Sequence, residues 1–170
     1  MRFDCITLFP EMFSAITGSG ITRRALEQVP DGTFDWQPHP TSLTLGRLAE
    51  HLCDMPYWAT LTLAQAGADM PPEQPAGYTA PTSRAAVLAQ FDRALKEARG
   101  HLLGKTDGEF AAPWKLTTGG KEVFTMPKGT VMRTFVLNHM IHHRGQLVMY
   151  LRMLDVPVPS FYGPSADEAF

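Results

Sequence analysis

The stretch KGTVMRTFVLNHMIHHRGQLVMYLRML, residues 128–154, decides the fold, because it reads as one long helix carrying three of the chain's six histidines. Val131, Phe135, Leu137, Ile141, Leu147, Tyr150 and Leu151 supply its apolar positions, and Pro157 lies just past its end. The pattern predicts a helix from about Lys128 to Leu154. Residues four apart share a helical face at about 6 Å, so His139 and His143 can aim their imidazoles at a single ion. His142 projects to another side.

Two histidines seldom hold a catalytic metal alone, so a third ligand is expected from another helix. Upstream, Ser42 or Thr44 can cap a helix whose Leu45, Leu48, Ala49 and Leu52 form an apolar stripe running toward Trp58 and Leu63. His51 follows Leu48 by three residues and so lies on that stripe. His39 sits in a loop and His101 at a helix end, which leaves His51 as the candidate partner of His139 and His143. Asp54, three residues on, can orient His51 or act as a solvated capping charge. Cys53 faces elsewhere and reads as a buried, inert thiol. Pro56 removes a backbone hydrogen bond to the Leu52 carbonyl and predicts a kink just beyond His51.

Three neutral imidazoles leave coordination positions open, where a bound water or thiol would become a nucleophile near neutral pH. Tyr57, Trp58 and Tyr162 are candidate pocket groups, with packing aromatics as the alternative. No general base stands out. The competing reading of the histidines is that they are core or surface groups hydrogen-bonded to their neighbours.

Elsewhere, apolar spacing predicts a first helix over Phe13 to Gln28, interrupted by Gly18 and Gly20. Val29 to Thr41 reads as a loop whose Trp36 plugs one end of the bundle. Residues 67–82 are proline-rich and read as a long surface connection, either a lid or a crossover. A third helix, capped by Thr82 or Ser83, runs from about Ser83 to Leu103 with Val87, Leu88, Phe91, Leu95, Ala98 and Leu102 on one face. Between Gly104 and Gly129, short alternating runs around Gly119-Gly120 suggest a small hairpin. The tail PVPSFYGPSADEAF packs back over the bundle.

These elements predict an all-α four-helix bundle forming a single domain over residues 1–170, a length that can bury one substantial core. Fifteen basic residues against seventeen acidic ones give a charge of -2, so no basic excess points to nucleic acid or an anionic membrane. Two cysteines are too few for a disulfide framework, and no uncharged stretch is long enough to span a bilayer. The opening MRFDCITLFPEMF lacks the apolar run and cleavage site of a secretion signal. The expected compartment is the cytoplasm.

The segments VPDGTFDWQPHPTSLTLGRLAEHL (29–52) and NHMIHHRGQLVMYLRMLDVPVPSFYGPSADE (138–168) closely resemble the DinB-like (DinB/YfiT) metalloenzyme family, the likeness covering roughly residues 22–168. The resemblance implies a four-helix bundle with a long crossover between helices 2 and 3, to which the runs around Gly119-Gly120 add a small extended excursion before helix 4. It also implies a homodimer and a divalent ion, nickel or zinc, on three histidines at positions matching His51, His139 and His143. Arg144, Gly145 and Gln146 match motif positions that pack and hydrogen-bond. Because the superfamily includes transferases and isomerases that use low-molecular-weight thiols, the implied function is a metal-dependent hydrolase or thiol transferase acting on a small molecule. The alternative is a metal- or ligand-binding stress-response bundle without turnover. The first 26 residues, MRFDCITLFPEMFSAITGSGITRRAL, resemble the start of tRNA guanine methyltransferases. The glycine-rich cofactor loop of that family has no counterpart downstream, so no methyltransferase function is expected.

Overall fold

Residues 20–71 and 81–169 are described by a computed structural model of the chain. Helix α1 (Ile21–Leu26) is the described part of the helix expected over 13–28. The start of that helix and residues 1–19 of the methyltransferase-like opening lie outside the described residues.

Helix α2 (Leu45–Ala64) begins where Thr44 accepts a hydrogen bond from the Arg47 amide at 3.2 Å, which satisfies one of the unpaired donors of the first turn. It runs unbroken through the buried Pro56. Helix α3 (Arg84–Leu102) begins in the same way on Ser83, which accepts from the Ala86 amide at 3.2 Å. After it come a short helix α4 (Asp107–Ala111) and the final helical stretch. That stretch starts as α5 (Lys128–Val131), widens to a π-helix over Met132–Asn138, and continues as α6 (His139–Met153). The extent matches the helix expected from Lys128, but the π segment left no mark in the apolar pattern.

The expected all-α four-helix bundle is wrong, because the described residues include a three-stranded mixed sheet in the order β1-β2-β3, which makes the fold α+β. Strand β1 (Gly67–Met70) lies in the segment read as a surface connection and pairs parallel with β2 (Pro113–Thr118). Strand β3 (Lys121–Pro127) returns antiparallel to β2. The hairpin expected here closes on Gly119 and Gly120, both at positive φ (55° and 77°), the conformation a two-residue turn needs. The extended excursion becomes a sheet because β1 joins it, and that depends on Gly67. A Cβ there would lie 2.4 Å from the Lys115 carbonyl oxygen, so only glycine lets the two backbones close.

The main core is built where α1, α2, α3 and α6 meet, with Leu26, Leu48, Leu52, Val87, Phe91, Leu147 and Leu151 buried together. Each such side chain contributes roughly 1.5–3 kcal/mol by leaving water. A smaller cluster of Ala59, Ala98 and Val136, with Trp58 and Met132 against it, fills the space toward the sheet. Trp36 packs edge-on to Tyr150 at 5.5 Å, so the loop aromatic does cover the core. The tail folds back as expected: Val158 is buried, Arg24 pairs with Glu168, and Arg152 pairs with Asp167. Among the described residues no helix is long and apolar enough to cross a membrane.

Replacing Gly67 by alanine is expected to lower stability by about 1–3 kcal/mol, because backbone cannot yield as a side chain can. Urea denaturation followed by circular dichroism tests this; an unchanged midpoint would mean that β1 is not held against β2.

Candidate metal centre

Packing of α2 against α6 through Leu48, Leu52, Leu147 and Leu151 sets the distance at which their histidines meet. His139 and His143 stand one turn apart on α6, with their Nε2 atoms 2.7 Å apart. His51 reaches across from α2 and places its Nε2 3.4 Å from that of His139. One nitrogen from each of the three lies within 4.8 Å of the others, and all three rings are partly buried.

The opposite edges of the rings are engaged. The Gln146 amide oxygen lies 2.7 Å from His143 Nδ1, the Phe135 carbonyl bonds the His139 ring, and Asp54 Oδ2 lies 3.5 Å from His51 Nδ1. An acceptor on Nδ1 fixes the proton there and turns the Nε2 lone pair inward. The 2.7 Å between the Nε2 atoms of His139 and His143 is hydrogen-bond distance, closer than two ligands on a tetrahedral ion stand, so a bound ion would spread these two rings slightly. The 3.4 Å spacing of His51 and His139 matches the separation, about 3.4 Å, of two imidazole nitrogens on a tetrahedral ion. The donor set therefore fits a divalent metal.

Electrostatics favour the ligand form. Burial pulls His143 from an ordinary 6.5 down to about 4, against the opposing Gln146 hydrogen bond and with further lowering from His51, His139 and His142. Burial likewise lowers His139, and His51 adds to the effect. Both rings are neutral at pH 7, as ligation requires.

His142 is exposed and stays outside the cluster, in line with its helical phase. His39 bonds Thr41 in its loop. Cys53 is buried against the Ala49 and Val87 carbonyls, and burial pushes its thiol well above the usual range, so it is no ligand. Arg144 is buried on the far side of α6, bonded to Thr22 at 3.0 Å and to the Tyr162 hydroxyl. Tyr162 and Tyr57 are both exposed, and neither lines the space beside the histidines. A Cβ on Gly145 would meet nothing within 4 Å.

Of the three aromatic candidates only Trp58 faces that space, a cavity of about 250 Å³ reaching from His51 and His139 to the sheet. Its other walls are Met70 of β1, Trp114 and Leu116 of β2, Phe124 of β3, and Val131 and Phe135 of the C-terminal helix. Sequence reasoning missed the strand residues. The alternation of Trp114, Leu116 and Phe124 with exposed neighbours was the available signal, but without β1 there was no sheet for them to face from.

Comparison with known proteins bears on the same region. A sequence model described as the DinB family matches residues 13–169. The protein YrdA of Bacillus subtilis (strain 168) is 26% identical over 148 residues, 86% of this chain and 83% of that protein. The crystal structure of a DinB-like protein from Bacillus cereus ATCC 10987 superposes with a TM-score of 0.64 at 24% identity, covering 91% of this chain and 95% of that one. A separate short likeness is to the tRNA (guanine-N(1)-)-methyltransferase of Dechloromonas aromatica (strain RCB), 66% identical over 38 residues. The chain spans only 15% of that methyltransferase's length.

The depressed histidines give the metal-free protein a pH dependence. The unfolded chain takes up protons near pH 6.5 while folded His143 resists them to about 4, so stability is complete above 6.5 and falls as pH drops through that window. Urea midpoints after chelation should be lower at pH 5 than at pH 7, and His143→Ala should shrink the difference. An equal drop in that variant would place the titration elsewhere.

Proposed function

The chain belongs to the DinB family, and from that premise we propose that it is a metal-dependent protein acting on a small molecule through an open centre formed by His51, His139 and His143. The observation that carries this reading is the convergence of three Nε2 atoms whose rings are each anchored at the other edge, by Asp54, Phe135 and Gln146. Anchoring of this kind holds ligand rings in the orientation a metal needs, and its loss typically costs 10- to 100-fold in affinity. Nickel or zinc suits three imidazoles. Bound there, the ion would supply Lewis acidity and lower the pKa of a coordinated water or thiol.

Three protein ligands beside a cavity support an enzyme of hydrolase or thiol-transferase type, with a low-molecular-weight thiol as the candidate cosubstrate. The residues of the chain would then bind and orient the substrate and exclude water, since the cavity wall is almost wholly apolar. One observation favours the second reading, a metal- or ligand-binding protein without turnover: among the described residues no aspartate, glutamate or lysine lines the cavity to move a proton. A reducing cytoplasm suits the free, buried Cys53.

The homodimer would draw on exposed apolar side chains of the C-terminal helix, the pairs Leu137 with Ile141 and Met149 with Met153 each standing one turn apart. Sedimentation should give twice the chain mass, and Met149→Glu should halve it; a wild-type monomer rules the dimer out.

Protein purified without a histidine tag should carry about one equivalent of nickel or zinc by mass spectrometry, and His139→Ala or His143→Ala should abolish it. Unchanged metal content in those variants would sink the ligand assignment. Gln146→Ala should weaken binding without abolishing it. A thiol cosubstrate screen on the loaded protein then separates the two readings, since turnover with any thiol excludes the non-catalytic one.

A further inference from the structure

The four aromatic rings of the cavity form a continuous wall. Trp58 and Trp114 meet at 6.3 Å, Trp114 and Phe124 at 6.2 Å, and Phe124 stacks on Phe135 at 4.8 Å with 17° between planes. Phe135 is 39% exposed, which puts it at the rim. No charged side chain lines the space among the described residues. One polar atom in the wall is unsatisfied: Trp114 is fully buried and its indole Nε1 donates to nothing.

We infer that this cavity takes a flat, uncharged aromatic ring system of about two fused rings, bearing one metal-binding group that reaches His51 and His139. The inference rests on the metal-centre reading above and names the class of its small molecule.

Size sets the ring count. An apolar cavity of about 150 Å³ holds one benzene, so the 250 Å³ here has room for a bicyclic body. Chemistry sets the charge. A carboxylate or ammonium placed among these side chains would lose its hydration with no partner in return. Thiols with charged bodies are therefore excluded from this space, and the only electrostatic attraction is at the histidine end. Stacking on Phe124 and Phe135 supplies the orientation.

Equilibrium dialysis with three probes tests this on the purified, metal-analysed protein: 2-naphthalenethiol, naphthalene, and mercaptosuccinate, a thiol of comparable size carrying two carboxylates. Naphthalenethiol should bind at least about tenfold more tightly than mercaptosuccinate. Phe135→Ala, a truncation at the rim, should weaken both naphthalene compounds by roughly fivefold while metal content is unchanged. His143→Ala should bind naphthalene as the wild type does but lose the added affinity of the thiol. Equal binding of mercaptosuccinate, or no effect of Phe135→Ala, overturns the inference. The two failures separate cleanly: metal without naphthalene binding sinks the ring site alone, and naphthalene binding without metal sinks the metal centre and the head group with it.

Discussion

The inward turn of three imidazole lone pairs is the constraint on which the rest of the structure depends. Each ring is held from behind, by an amide oxygen, a backbone carbonyl and a carboxylate, and each hold comes from the helix that bears the ring. The convergence therefore needs only that α2 and α6 lie at the right separation, which the leucine packing between them sets. Removing burial would cost more than core stability, since burial keeps His139 and His143 neutral.

The π-helical segment Met132–Asn138 leads directly into His139. Such widened turns are rare and cluster at functional sites. Here it contributes the Phe135 carbonyl that anchors the His139 ring and the Phe135 side chain at the cavity rim. One local irregularity thus serves both the candidate ligands and the space beside them. The wider turn also sets Val136 into the small cluster with Ala59 and Ala98, so α2 and α3 both brace it.

What the sequence showed about this protein divides along the range of the interactions involved. Helix caps at Thr44 and Ser83, the two-glycine turn and the phase of His139 against His142 are local, and each was readable from a few residues. His51 was readable because an apolar stripe reports which way a helix faces the core. The sheet was not. Gly-Ala-Asp-Met has no strand-forming residue in its first three positions, and Gly67–Met70 becomes a strand only because β2 passes beside it. A parallel partner some fifty residues away leaves no periodicity to read, so the fold class and four cavity residues were lost together.

That shared loss reveals how the molecule is divided. The candidate ligands His51, His139 and His143 stand on helices whose burial is set by the main core, whereas Met70, Trp114, Leu116 and Phe124 stand on strands reached through Trp58 from the smaller cluster. A substitution on a strand alters the shape and polarity of the cavity while the histidines keep their anchors and their spacing. A substitution in the leucine layer does the reverse. The candidate ligands stand on helices alone, whereas the wall of the cavity is shared between the strands and the helical residues Trp58, Val131 and Phe135, so the strand side is the part that can vary without touching a histidine. The sheet that the helical pattern hid is for that reason the part of this chain where a change of ligand costs least.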